Sequence, residues 1–155
     1  MRLVFIESVL FSRTVLATLK DMPGIEITGI VTRCSSPHGS DFVSLTDDAD
    51  TMQAPCLEAD DTSTEDLARW IRAKEPDAIF YIGWNRILPA DILDIPPRGV
   101  IGYHPAALPD NRGRHPIIWA LARGLTQTTS TFFSLGRRRR YRRHRGSRAR
   151  TDWCR

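Results

Sequence analysis

Two periodicities alternate along the first 135 residues of this chain, and that alternation restricts the fold more than any other feature. Leu3 to Ile6 is an unbroken apolar run, the pattern of a short strand buried on both faces. Val9 to Leu19 carries apolar residues at Val9, Leu10, Val15, Leu16 and Leu19, a helical stripe closed by Pro23 and Gly24. Ile25 to Val31 is β-branched and reads as a second strand, and the polar stretch Cys34 to Asp50 reads as a loop. Ser63 and Asp66 then make a capping-box-like start; Leu67, Trp70 and Ile71 form an apolar stripe, and Pro76 stops the helix. Asp77 to Gly83 predicts a strand, Pro89 to Leu93 a short helix, and Val100 to Tyr103 a strand running into His104. Pro116 to Leu125 predicts a helix and Thr128 to Leu135 a last strand.

Strands alternating with helices predict an α/β domain: an open, mostly parallel sheet with helices on both faces. Such sheets bind ligands at the carboxyl ends of their strands. Gly83 and His104 both fall there.

The length of 155 residues fits one domain, with 41% apolar and 26% charged residues. No apolar run approaches the ~20 residues that cross a bilayer, and the apolar start is too short for a secretory leader, so a cytoplasmic protein is expected. Cys34, Cys56 and Cys154 lack metal-ligand spacing and cannot all pair, which predicts ordinary thiols and no structural metal. Charge divides sharply along the chain. Residues 136–155 hold ten of the 22 basic residues and one of the 18 acidic ones, leaving 12 and 17 in 1–135, a net of −5. The body is mildly acidic and the basicity sits in an Arg-rich tail.

The most informative segment runs from Gly99 to Gly124. It carries His104-Pro105, Leu108-Pro109, Arg112-Gly113, Pro116 and Trp119-Ala120, with Phe11-Ser12 and Ile87-Leu88-Pro89 upstream. In this order the motifs resemble the formyltransferases that use 10-formyltetrahydrofolate, whose members formylate methionyl-tRNA, glycinamide ribonucleotide or amino sugars linked to nucleotides. The resemblance covers most of 1–135 and implies the N-terminal, Rossmann-like portion of such a domain.

Formyl transfer sends an amine onto a formyl carbon through a tetrahedral oxyanion, which needs a hydrogen-bond donor, while a base takes the amine proton. The family meets these needs with an Asn-x-His pair at a strand end and a later Asp. The resemblance implies that His104 is the catalytic histidine, against the bland reading of a histidine satisfied at a strand end. The asparagine position is Gly102, a departure that removes an oxyanion donor. Asn111 is a candidate substitute, although it serves equally well as a turn residue. Arg112, Gly113 and Arg114 are candidates for binding an anionic group of the substrate, or a solvated loop. The folate pocket is expected around Gly83, Trp84, Asn85, Arg86, Ile87 and Leu88, with backbone groups on the pterin and apolar side chains sandwiching it. The implied partners are the folate donor and a small-molecule amine, or tRNA as acceptor. An unpaired sheet edge also invites a homodimer.

After Leu135 the family's Asp-bearing loop does not follow. Taken as written, the tail is too charged to pack, is disordered alone, and resembles a nucleic-acid-binding arm. Alternatively it is out of frame. One permitted set of codons for residues 136–146, advanced by one base, reads Ala-Asp-Gly-Ala-Asp-Thr-Gly-Asp-Ile-Val, the loop the family requires. A chain truncated in this way is expected to be weakly active or inactive. Two other readings remain, an RNA-binding protein and a hydrolase of the formyl-folate.

Overall fold

The computed structural model describes residues 1–36, 41–83, 87–136 and 150–152; Trp84, Asn85, Arg86 and most of the Arg-rich tail lie outside the described residues. In chain order the elements are β1 (Arg2–Ile6), α1 (Leu10–Lys20), β2 (Glu26–Thr32), α2 (Thr46–Met52), β3 (Cys56–Glu58), α3 (Thr64–Arg72) and β4 (Ala78–Tyr81). There follow α4 (Ala90–Leu93), β5 (Val100–His104), α5 (Pro116–Ala122), β6 (Gln127–Thr129), β7 (Thr131–Leu135) and β8 (Arg150–Asp152). Six strands form one sheet in the order β3-β2-β1-β4-β5-β7. The first five are parallel and β7 is antiparallel at the edge. Strand order turns back between β1 and β4.

The apolar run in β1 explains this placement. Leu3, Val4, Phe5 and Ile6 are all fully buried. Because side chains alternate across a strand, Leu3 and Phe5 pack with Leu16 and Leu19 of α1 and Ala49 of α2. Val4 and Ile6 pack on the opposite face with Ala68 and Ile71 of α3 and Ile92 of α4. The sheet therefore carries helices on both faces, as the alternating pattern predicts.

Helix α3 starts as the sequence indicates. Ser63 Oγ accepts from the Asp66 N–H at 3.1 Å and donates to the Asp66 carboxylate at 2.7 Å. Elsewhere the structure corrects the expectation. The stretch expected to be a loop from Cys34 to Asp50 contains most of α2, whose Ala49 is buried under β2 and β1. Seven residues, five of them polar, give too weak a stripe to be recognised from the sequence. The short strand β3 that follows was also missed; it is held by pairing with Ile30 to Thr32.

The strand expected over Thr128 to Leu135 is two strands. Thr131 to Leu135 pair with His104 to Val100. Pro105 then ends β5, so residues before Thr131 have no ladder to join there. Gln127–Thr129 pairs instead with Arg150–Asp152.

Helix α5 buries none of its residues; Ile118, Trp119 and Leu121 are all more than half exposed. This gives a direct contrast. Ile71→Ala should cost about 2–5 kcal/mol in urea denaturation, since the side chain fills a closed core. Ile118→Ala should stay within about 0.5 kcal/mol.

Candidate functional site

Parallel pairing brings the carboxyl ends of β1, β4 and β5 to one rim, so Glu7, Gly83 and His104 emerge on the same side of the sheet. His104 is held in place there. Its Nε2 lies 3.0 Å from the Asn111 carbonyl oxygen. A carbonyl only accepts, so Nε2 carries a proton in this contact, which selects the tautomer whose lone pair is on Nδ1. The loop beneath is pinned: Ala106 N–H donates to His104 O at 2.9 Å, Asn111 N–H to Ala107 O at 2.9 Å, and Thr131 Oγ1 to Ala106 O at 2.7 Å.

On the other face, Tyr103 stacks on Phe11 at 4.6 Å between centroids, meets Phe132 at 5.2 Å, and shares a 3.0 Å hydrogen bond with Ser130 Oγ. The Phe11-Ser12 motif thus has a structural use. Phe11 braces the strand that ends in His104, while buried Ser12 closes the first turn of α1 on the Val9 backbone.

Gly102 shares the face of His104, two residues earlier. A Cβ there would lie 2.8 Å from Phe133 Cζ and 3.1 Å from Leu135 Cδ1. The Phe133 ring therefore occupies the space of the side chain that the family pattern expects. Asn111, the candidate substitute, reaches His104 through its backbone carbonyl, and it also lines an adjoining cavity of about 240 Å³.

That cavity gathers Asp110, Arg112, Arg114, Trp119 and Arg123, with Gly113 at its wall. Arg123 had not been singled out in the sequence. It stands over the Trp119 ring at 5.7 Å, and its i, i+4 spacing from Trp119 was the available signal. Among the described residues none of the three guanidiniums is paired with a carboxylate. Three cations and one anion line the cavity of a body that is otherwise acidic.

At β4 the expected folate segment is only partly described. Gly83 adopts φ 85° and its backbone is exposed. Ile87 is 97% exposed, whereas Leu88 is 8% exposed and belongs to the core. Of these two expected pocket residues, the structure leaves Ile87 open to a ligand and uses Leu88 for packing.

Sequence reasoning also missed Glu7, whose signal was an acid directly after a buried strand. It is fully buried. Burial pushes its carboxyl up to about 8; the Ser8 N–H opposes that shift and Asp41 adds to it. Cys34 is exposed, and hydrogen bonding to Glu58 with partial desolvation pushes its thiol up to about 12, the opposite of an activated nucleophile. No group of metal-ligating side chains, and no helix long and apolar enough to span a membrane, occurs among the described residues.

The Gly102 contact makes a direct prediction. Gly102→Asn alone should lower the Tm, because its side chain would enter the space that the Phe133 ring occupies. Phe133→Ala added to it should restore most of the loss, a coupling of about 0.5–3 kcal/mol read from a double-mutant cycle.

Comparison with known proteins places this geometry in a family. Residues 1–136 match the family described as Formyl transferase. A methionyl-tRNA formyltransferase of Desulforamulus reducens is 31% identical over 144 residues, covering 88% of this chain and 44% of that protein. The chain thus spans less than half the length of this relative. In fold it is similar to glycinamide ribonucleotide transformylase 1 from Symbiobacterium toebii, with a TM-score of 0.77 at 17% identity over 100% of this chain and 74% of that one. It is also similar to a formyltetrahydrofolate deformylase from Pseudomonas syringae pv. tomato, with a TM-score of 0.68 at 17% identity over 94% and 53%. The expected α/β fold and the expected family agree with these likenesses. With a family match across nearly all of its sheet, the chain belongs to the formyl transferase family.

Proposed function

We propose that this domain serves transfer of a formyl group from 10-formyltetrahydrofolate to a small primary amine that bears an anionic group. The observation that carries the reading is His104: its Nε2–H is fixed on the Asn111 carbonyl and its Nδ1 has no hydrogen-bond partner among the described residues, beside a cavity lined by arginines.

The residues present fit the folate donor. Gly83 offers a backbone without a Cβ, Ile87 offers an exposed apolar side chain, and buried Glu7 has one oxygen without a hydrogen-bond partner among the described residues. Gly83 and Ile87 would hold the pterin, together with Trp84, Asn85 and Arg86, which lie outside the described residues. When bound, the donor supplies a carbonyl carbon open to attack by an amine. His104 Nδ1 accepts the proton that the amine sheds. Arg112, Gly113 and Arg114, with Arg123, hold the anionic part of the acceptor. An amino sugar linked to a nucleotide suits this cavity, and methionyl-tRNA is the other acceptor class.

The oxyanion is the weak point. With Gly102 in place of an amide side chain, one donor is missing, a loss of ~10²–10³ in rate. The unmodified polypeptide is therefore expected to transfer formyl groups weakly or not at all in a steady-state assay, and His104→Ala should abolish whatever remains. Vigorous turnover by this polypeptide would overturn the role given to Gly102. Product analysis separates the readings, since formylated amine marks a transferase and formate alone a hydrolase.

The tail bears on the same question. A charge of +9 in 136–155 against −5 in the body favours either a shifted reading frame or an RNA-binding arm. Sequencing the coding region beyond Ser134 should show the Asp-Gly-Ala-Asp-Thr-Gly-Asp-Ile loop in the adjacent frame. A closed adjacent frame, with sequence-selective RNA binding that is lost on cutting after Leu135, would support the arm instead. The domain is read as cytoplasmic, with the β7 edge as the route to a homodimer.

A further inference from the structure

The chain between β5 and α5 does two things at once. Asn111 turns its backbone carbonyl to His104 Nε2 at 3.0 Å, and it also lines the cavity of about 240 Å³ beside α5. Its neighbours Asp110, Arg112, Gly113 and Arg114 line the same cavity, whereas His104 does not. Asn111 is where the histidine side chain and the cavity meet.

The lining suits an anion. Arg112 and Arg114 reach the cavity from the loop, and Arg123 reaches it from the C-terminal end of α5. Side chains on a helix lean toward its N-terminus, and the Arg123 guanidinium stands over the Trp119 ring at 5.7 Å, one turn back toward the loop. None of the three arginines is in an ion pair among the described residues. Asp110 is the one acid among the described residues of the lining, which leaves an excess of two positive charges. Guanidiniums gathered without counter-charge repel one another. A tetrahedral oxyanion among them relieves that repulsion and accepts paired N–H bonds from each fork. A phosphomonoester carries ~1.5 to 2 negative charges at neutral pH, which matches the excess, whereas a carboxylate or a phosphodiester carries a single one.

The loop has few ties of its own on this side. Asn111 N–H donates to Ala107 O at 2.9 Å, but among the described residues Arg112, Gly113 and Arg114 form no hydrogen bond. Gly113, between the two arginines, takes φ 126°, and nothing lies within 4 Å of where a Cβ would stand. An anion that bridges Arg112 and Arg114 to Arg123 supplies a tie there, one peptide bond away from the carbonyl that holds His104.

We propose that this cavity is a phosphate subsite coupled to His104: a phosphate dianion held by Arg112, Arg114 and Arg123 fastens residues 110–114 and, through the Asn111 carbonyl, selects the His104 tautomer with its lone pair on Nδ1. The arginines are binding residues, and Asn111 is a positioning residue that acts through its backbone. Coupling of this kind is reciprocal: an anion that orders the histidine binds more tightly because the histidine is there. The proposal deepens the reading of the cavity as the acceptor's anion site and rests on that reading only for its consequence in catalysis. There, the phosphate of the acceptor orders the base that its own amine needs.

The test uses the whole chain at constant ionic strength, titrated in a calorimeter with inorganic phosphate, glycerol phosphate, dimethyl phosphate and acetate. The two dianions should bind at least about tenfold more tightly than the two monoanions. Equal affinity for both dianions makes free phosphate a sufficient ligand, and tighter glycerol phosphate assigns the subsite to a phosphomonoester substrate. Arg123→Gln leaves every arginine of the tail in place and should weaken phosphate about tenfold or more. Arg112→Gln, in the exposed loop, serves if Arg123→Gln does not fold. Monoanions that bind as well as dianions, or full phosphate affinity in these variants, would overturn the subsite.

The coupling has its own readouts. In NMR spectra of the chain with histidine labelled at its ring nitrogens, phosphate should drive the two His104 nitrogens apart toward one tautomer, and Arg123→Gln should lack the effect. His104→Ala, which also assigns those signals, should lose at least about fivefold in phosphate affinity. An unchanged His104 spectrum, or full phosphate affinity in His104→Ala, sinks the coupling. Binding and coupling as expected, with no formyl transfer to any amine, would remove the acceptor reading and leave the subsite. Formyl transfer without phosphate binding would do the reverse.

Discussion

Strand β1 has no exposed face, and the rest of the domain depends on that. Its four core residues are fully buried between α1 and α2 on one side and α3 and α4 on the other. A strand so enclosed must be central, with β2 and β4 paired on its two sides. Connections to both neighbours then run by helices to opposite faces, and the strand order reverses beside it. A crevice at the carboxyl end follows from that geometry alone. The candidate residues Gly83 and His104 lie at this crevice because they stand at or just after strand ends.

At the end of β5, packing and chemistry compete for one position. Gly102 lets the Phe133 ring of the antiparallel edge strand occupy the space beside β5 that a side chain would take. The same replacement removes an amide that could have faced the oxyanion. What remains well organised is His104, gripped by the Asn111 carbonyl and by a loop tied to Thr131. On the proposed reading, His104 is an oriented base and Gly102 offers no side-chain donor. Its electrostatics are equally uneven, with three guanidiniums that pair with no carboxylate among the described residues at the cavity beside α5, and a buried carboxyl that accepts the Ser8 N–H after β1. The two features lie on different strand ends and favour different groups, an anion at the first and an uncharged partner at the second.

The sequence by itself determined the class of the fold. Strict alternation of buried strand and helical stripe leaves few topologies, and Ser63 with Asp66 marked the start of α3 where it occurs. It also singled out His104 as a candidate, since that residue ends a strand and opens a His-Pro turn within the motif. Short elements were less legible. Thr46–Met52 and Cys56–Glu58 have too few residues to show a period and are held by what they pack on.

Only the tertiary structure decided the rest, since it turns on contacts between residues distant in sequence. That Gly102 is filled by Phe133, that Arg123 joins Arg112 and Arg114 at one cavity, and that Leu88 serves the core while Ile87 does not, are facts of packing. Glu7 is the clearest case. In the sequence it is an acid that follows a strand, and the fold buries it beside Gly83, 76 positions away. Local sequence carries periodicity and turn chemistry, whereas desolvation depends on which segments the fold brings together.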